Sequence, residues 1–521
     1  MPTGNGAWTN WTRPVLVEGW IKRVLAAINP FNQRMTDLYN NAVNTDVSLL
    51  TQAGTRWEGD IALTLDAVND YGLIEIYETL LKRGKGISIN SGYNYGPAND
   101  ALLLAAGYLS DLYTILGNEG DTLFVQTTNA APRGRIIAVD INNPQPSAWR
   151  ELVPQSDLAM DEASYVGGHL IVRYVRDAHG VAKLFDRDGK AKGEVDVPGM
   201  GTIAGFGGGA KDNETFFAYA DYLSAGQVMR LDLQTLKTSV FREPKIAADT
   251  TPYETRQVFY RSKDGTRVPM YITQRKGAPR DGKAPTLLYG YGGFNVSITP
   301  AFRPSVIAWL EMGGTYVEAN LRGGGEYGDA WHEAGTKTRK QTVFDDFIAA
   351  AEYLVAEKIT SPAQLAISGR SNGGLLVGAT LLQRPDLFAA ALPAVGVLDM
   401  LRYHTASANA RQWSSDYGLS ENAEEFAALR AYSPVHNVKS GVCYPATLVT
   451  TADRDDRVVP WHSYKFAAEL QRAQACSKPV LLRVETRAGH GAGKPVWMQI
   501  DDFADQWAFI AGAMGMQVPK P

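Results

Sequence analysis

The stretch LAISGRSNGGLLVGATLL (365–382) constrains the fold more than any other part of the chain. Four strand-like residues run straight into GRSNG and then into an apolar segment with helical spacing, so strand, sharp turn and helix follow within a few residues. G-x-S-x-G in that setting reads as a nucleophile elbow. Gly369 and Gly373 let the backbone pass closely, and Ser371 is lifted above the edge of a sheet. The next amide, that of Asn372, opens the helix and points to where a negative oxygen would develop. A purely structural turn is the rival for the bare motif; the flanking strand and helix weigh against it.

The chain around this run alternates strand and helix from about residue 253 onward. Apolar strand-like runs recur at Thr286–Tyr289, Thr315–Ala319, Leu365–Ser368, Ala446–Thr450 and Val480–Val484. Helical patterns such as Phe344–Lys358, Gly374–Gln383 and Ser463–Ala473 lie between them. This rhythm predicts a doubly wound, mostly parallel α/β sheet over 253–521, with ligands bound beyond the C-terminal ends of its strands.

A serine hydroxyl needs a positioned base to become a nucleophile. In a sheet of this kind the acid and then the histidine follow the serine along the chain. Of seven histidines, only His436, His462 and His490 lie far enough downstream. His490 sits in RAGHGAGK, directly after the strand-like VLLRVE, where the base belongs; His462, opening a helix in VVPWHSYK, reads as a packing residue. The acid should follow ATLVTT (446–451), and ADRDDRVVP offers Asp453, Asp455 and Asp456, among which spacing does not choose. YGYGGFN (289–295) ends another strand, so the Tyr291 hydroxyl is a candidate oxyanion donor, and RGGGEYG (322–328) suits a sharp turn nearby.

Upstream the pattern changes. Over 119–252 the period is two, and GRIIAVD (134–140), GVAKLFD (180–186) and GQVMRLD (226–232) repeat at a spacing of 46 residues (180 − 134 and 226 − 180). Phe124, Leu170 and Phe216 precede the three glycines by ten residues each. A β-repeat of this length predicts propeller blades, with a plain meander or sandwich as the rival. Three blades are too few to close a propeller, which takes roughly four to eight. Residues 1–118 read as mostly helical, with apolar spacing over Val15–Ile28, Tyr71–Lys82 and Ala98–Leu116. The glycines at 84 and 86 lack the spacing and preceding strand of a phosphate loop.

The net charge of −4 favours neither nucleic acid nor an anionic membrane as partner. Cys443 and Cys476 match no zinc or redox spacing and are expected to be reduced, no cofactor or metal is implied, and no targeting or membrane-spanning run is legible, so a cytoplasmic protein is expected.

YGYGGFN, RGGGEYG, KQTVFDDF, GRSNGGLLVGA, QRPDLF, TADRDDRVVP and AGHGAGK, in that order, closely resemble the prolyl oligopeptidase family over about 119–521. The resemblance implies a serine peptidase acting on short proline-containing peptides, cut on the carboxyl side of proline. It implies Ser371, Asp455 and His490 as the triad, and Tyr291 hydroxyl with Asn372 N–H as the oxyanion hole. It further implies that Arg457 binds the carbonyl preceding proline, and that Trp413 stacks on the proline ring beside Phe294, Val397, Tyr417 and Val458. An indole with apolar walls suits a ring that has no polar group to satisfy. Relatives that cut after basic residues use acidic groups, and dipeptidyl peptidases use a glutamate pair; the aromatic set favours proline. The alternatives are another hydrolase or esterase activity on the same fold, or a catalytically silent rearranged protein. Members of this family carry a complete propeller, whereas 1–118 does not resemble its blades. A helical module or a fusion there implies competent chemistry with impaired size selection and stability.

Overall fold

The computed structural model describes residues 113–519, apart from Ala408 and residues 492–493. The 46-residue repeat corresponds to three four-stranded antiparallel sheets in succession. They comprise β1 (Tyr113–Glu119), β2 (Thr122–Thr127), β3 (Arg135–Asp140) and β4 (Arg150–Val153); then β5 (Ala159–Val166), β6 (His169–Arg176), β7 (His179–Asp186) and β8 (Ala191–Glu194); then β9 (Thr202–Gly207), β10 (Glu214–Ala220), β11 (Gln227–Asp232) and β12 (Lys237–Arg242). The repeated aspartates have a common task. Asp140, Asp186 and Asp232 each end the third strand of a blade, and each accepts, through Oδ1, the amide two residues on, at 2.9, 3.1 and 3.0 Å. These Asx turns begin the reversal into the fourth strand.

The blades stack face to face. In β6, Leu170, Val172 and Tyr174 pack toward Phe124, Ile136 and Ala138 of the first blade. Ile171, on the opposite face, joins Phe217 and Leu231 of the third. A middle blade buried on both faces explains the near-continuous apolar run HLIVRYVR.

Two expectations are corrected here. Residues 113–118, counted with the helical N-terminal stretch, form strand β1, which pairs antiparallel with β2 around the turn at Gly120, with a register shift between Ile115 and Gly117. Cross-strand pairing outweighs the local apolar spacing of this segment. The rest of the expected helical region lies outside the described residues. The cysteines, expected to be reduced, form a Cys443–Cys476 disulfide with a Cα–Cα distance of 5.2 Å. Their loops run side by side through a Val442–Gln474 bridge, which the 33-residue separation conceals.

From Tyr253 the chain builds one eight-stranded sheet in the order β13-β14-β16-β15-β17-β18-β19-β20. Its strands are β13 (Tyr253–Arg261), β14 (Arg267–Arg275), β15 (Thr286–Gly290), β16 (Thr315–Ala319), β17 (Leu365–Arg370), β18 (Ala390–Ala394), β19 (Ala446–Ala452) and β20 (Val480–Glu485). The last six named are parallel to one another, and the β13–β14 hairpin joins antiparallel at β16. The helices of this unit include α1 (Pro304–Glu311), α2 (Gln341–Ala356), α3 (Asn372–Gln383), α4 (Ser414–Tyr417), α5 (Trp461–Ala473) and α6 (Val496–Met514). Alternate strand residues feed two apolar layers. Leu288, Val317 and Ile367 pack with α2, α3 and α5, whereas Leu287, Tyr316 and Ala366 pack with α1 and α6. This is the doubly wound α/β arrangement that the alternation predicts. The blades dock on it through polar contacts: Tyr222 hydroxyl donates to the buried Glu318 at 2.6 Å, and Tyr327 hydroxyl to Asp177 at 2.7 Å.

Candidate active site

Strand β17 lies inside the sheet and delivers Ser371 at its C-terminal end, where the backbone turns through φ 58° and ψ −117° into α3. A non-glycine residue at positive φ is strained, and here the surroundings enforce it. The Ser371 amide donates to Ala394 O at 2.9 Å, at the end of β18. The flanking glycines are obligatory by contact. A Cβ on Gly369 would stand 2.3 Å from Gly373 O, and one on Gly373 would stand 2.7 Å from Gly290 O.

Beyond β19, Asp455 is buried while Asp453 and Asp456 are exposed, so the geometry distinguishes what spacing left open. Asp455 Oδ1 accepts the amides of Arg457 and Val458 at 3.1 and 2.9 Å. Its Oδ2 lies 2.7 Å from His490 Nδ1, in the loop after β20. A carboxylate so held keeps the imidazole proton on Nδ1 and leaves Nε2 as the acceptor. The His490 loop also meets the elbow, because Arg370 Nη2 donates to His490 O at 3.4 Å. The structure thus brings Asp455 and His490 into contact and tethers His490 to the residue preceding Ser371. Among the described residues, no hydrogen bond joins Ser371 to His490. His462 is fully buried, accepts the Asp399 amide at 3.1 Å and stacks on Trp461; burial lowers its pKa to about 3, so it is a neutral packing residue.

Tyr291 follows β15, and burial pushes its hydroxyl up to about 12, so at neutral pH it remains a donor. The Asn372 side chain reaches across from the elbow. Its Nδ2 donates to Tyr291 O, and its Oδ1 accepts from Tyr417 hydroxyl at 2.9 Å. Val397, Tyr417 and Val458 are buried in one apolar cluster, with Phe294 and Trp413 packed against it. Phe294 meets Tyr417 edge to face at 5.3 Å. Arg457 is exposed, and its charge partly offsets the effect of burial on Tyr291.

Four residues here were not singled out by sequence. Tyr403 lies parallel to Trp413 at 6.3 Å and stands edge-on to Tyr417 at 5.2 Å. Asp416 accepts from Lys340, His332 and the Phe294 amide. Lys340 opens the KQTVFDDF motif and Asp416 follows Trp413 by three residues, but neither carries a periodicity of its own.

Comparison with known proteins agrees with this architecture. Residues 300–517 match the model of the prolyl oligopeptidase family, and residues 90–244 match that of the prolyl oligopeptidase N-terminal β-propeller domain. The chain is 46% identical over 419 residues to a prolyl endopeptidase of Elizabethkingia miricola, covering 80% of this chain and 59% of that one. It is 39% identical over 422 residues to a prolyl endopeptidase of Dictyostelium discoideum, covering 78% and 55%. A solved structure from a study of two prolyl endopeptidases and their inter-domain dynamics superposes with a TM-score of 0.76 at 43% identity, over 79% of this chain and 60% of that one. Oligopeptidase B from Leishmania major superposes at 0.72 with 26% identity, over 78% and 59%. The chain therefore spans about three fifths of the length of the curated relatives it matches. Its sheet, its blades and its matched sequence together make this chain a member of the prolyl oligopeptidase family.

Proposed function

We propose that this chain cleaves short peptides on the carboxyl side of proline through an acyl-enzyme. The observation that carries the reading is the Asp455–His490 pair, fixed beside an elbow serine and an aromatic pocket. In this mechanism Ser371 Oγ attacks the prolyl carbonyl carbon while its proton passes to His490 Nε2. Asp455 stabilises the imidazolium, and Tyr291 hydroxyl with Asn372 N–H holds the oxyanion. The C–N bond then breaks as His490 protonates the leaving amine. Water, deprotonated by the same histidine, attacks the ester and returns Ser371 to its resting form. The proline ring lies against Trp413 within walls from Phe294, Val397, Tyr417 and Val458, and Arg457 holds the preceding carbonyl. The residues given roles in this mechanism lie within 253–521, and the blades of 113–242 form a partial cover over them.

A fluorophosphonate probe tests the nucleophile: wild type is labelled and Ser371→Ala is not. Chromogenic peptides with proline, alanine or lysine at the cleaved position test the pocket. Equal rates for the three would move the chain to another hydrolase specificity, and an unlabelled wild type would make it a binding protein.

A further inference from the structure

Behind the candidate site, a buried ion pair ties together two segments that are far apart in sequence. Lys340 and Asp416 side chains are each 1% exposed, with Nζ 2.7 Å from Oδ2. Lys340 also donates to Gly292 O at 3.1 Å. Asp416 Oδ1 accepts the Phe294 amide at 2.9 Å and lies 3.0 Å from His332 Nε2. The pair thus grips the YGYGGFN loop at two points, on either side of Gly293. Asp416 is also part of α4, next to Tyr417 and three residues after Trp413. Tyr417 in turn reaches Asn372, whose side chain holds Tyr291 O. Phe294 needs such a hold, because its φ of 58° is a strained conformation for a bulky residue. Burial alone would raise the Asp416 carboxyl, but Lys340, His332 and the Phe294 amide keep it below the usual carboxylate range.

We infer that Asp416, paired with Lys340, is a positioning residue that fixes the Tyr291 loop and the aromatic pocket as one unit. It touches neither substrate nor reacting atoms; it sets the distance between the groups that do. A merely structural pair would be retained for folding alone, yet removing both partners of a buried pair costs a protein little stability in many cases. The hydrogen bonds to Gly292 O and the Phe294 amide give this pair a further role. The inference rests on the post-proline reading for its substrate test, and on the serine nucleophile alone for its labelling test.

The experiment compares the full chain with Asp416→Asn and with the double variant Lys340→Gln/Asp416→Asn, which removes both buried charges at nearly constant shape. Active sites are counted by end-point fluorophosphonate labelling, and kcat and KM are expressed per labelled site. For each variant we expect kcat/KM on a proline peptide to fall roughly 10- to 100-fold, a narrowed proline-over-alanine ratio and slower labelling. Wild-type kinetics per labelled site, with only fewer sites or a lower melting temperature, would reduce the pair to a structural role and overturn the inference. If Asp416→Asn does not fold, the double variant decides by the same criterion. A wild type that labels but ignores proline fails the substrate reading, and the labelling rates of the variants then test the positioning by themselves. An unlabelled wild type overturns both.

Discussion

At Glu326, in RGGGEYG, the Ile298 amide donates to one carboxyl oxygen at 2.8 Å, and the other oxygen is buried without a partner. Burial pushes this carboxyl up from its ordinary 4.5 to about 7. Between those values the folded protein keeps a proton that the unfolded chain has released, so stability falls as pH rises from 4.5 to 7 and is level above. The loss is about 3 kcal/mol for this shift, and Glu326→Gln should abolish it, as read from urea midpoints across that range. His462 acts with the opposite sign: neutral when folded, it weakens the protein as pH falls from 6.5 toward 3. At Asp455 the expected effect is catalytic. Asp455→Asn keeps the shape but offers His490 a donor in place of an acceptor, so under the proposed mechanism kcat should drop about 10⁴-fold with KM little changed.

Among the elements, the elbow and its neighbours were plain in sequence, whereas three others were not. Strand β18, AALPA, is short, contains proline and lacks β-branched residues; its place beside β17 is a matter of pairing. The β13–β14 hairpin and helix α1 fill the edge and one face of the sheet, and nothing in a linear pattern reports which face an element covers. The disulfide likewise depends on two loops meeting. It closes a loop of 33 residues across the approaches to β19 and β20. The chain-entropy relation gives about 3–4 kcal/mol for a loop of that length. Cys443→Ser/Cys476→Ser should lower the guanidinium midpoint accordingly, and adding reductant should lower the parent protein to the level of the variant. Insensitivity of the parent to reductant would show that the bridge contributes nothing.

Across the whole molecule, the blades and the eight-stranded sheet meet at Glu318, which is fully buried. It accepts Tyr222 hydroxyl from the last blade, and Tyr316 hydroxyl and Arg303 from the α/β unit. Tyr222→Phe would leave one buried carboxylate oxygen without its donor. We expect about 1–3 kcal/mol of destabilisation and faster limited proteolysis between Arg242 and Tyr253, where the two units join. Unchanged cleavage there would mean that the interface is held elsewhere. On the last blade, Val228, Val240 and Phe241 are exposed large apolar side chains.

The sequence by itself determined what local rules govern. The elbow at Ser371, the order of acid and histidine, the alternation that makes the sheet and the repeat that makes three blades all follow from spacing and from residues that permit few conformations. The family motifs carried the pocket residues and Asp455 with them. Only the tertiary structure decided which groups touch: that Asp455 alone of three aspartates is buried against His490, that Lys340 and Asp416 hold the loop of Tyr291, that two cysteines meet, and that β1 is strand. Each of these depends on contacts between segments distant in the chain, where the energies of burial and pairing arise and where periodicity gives no information.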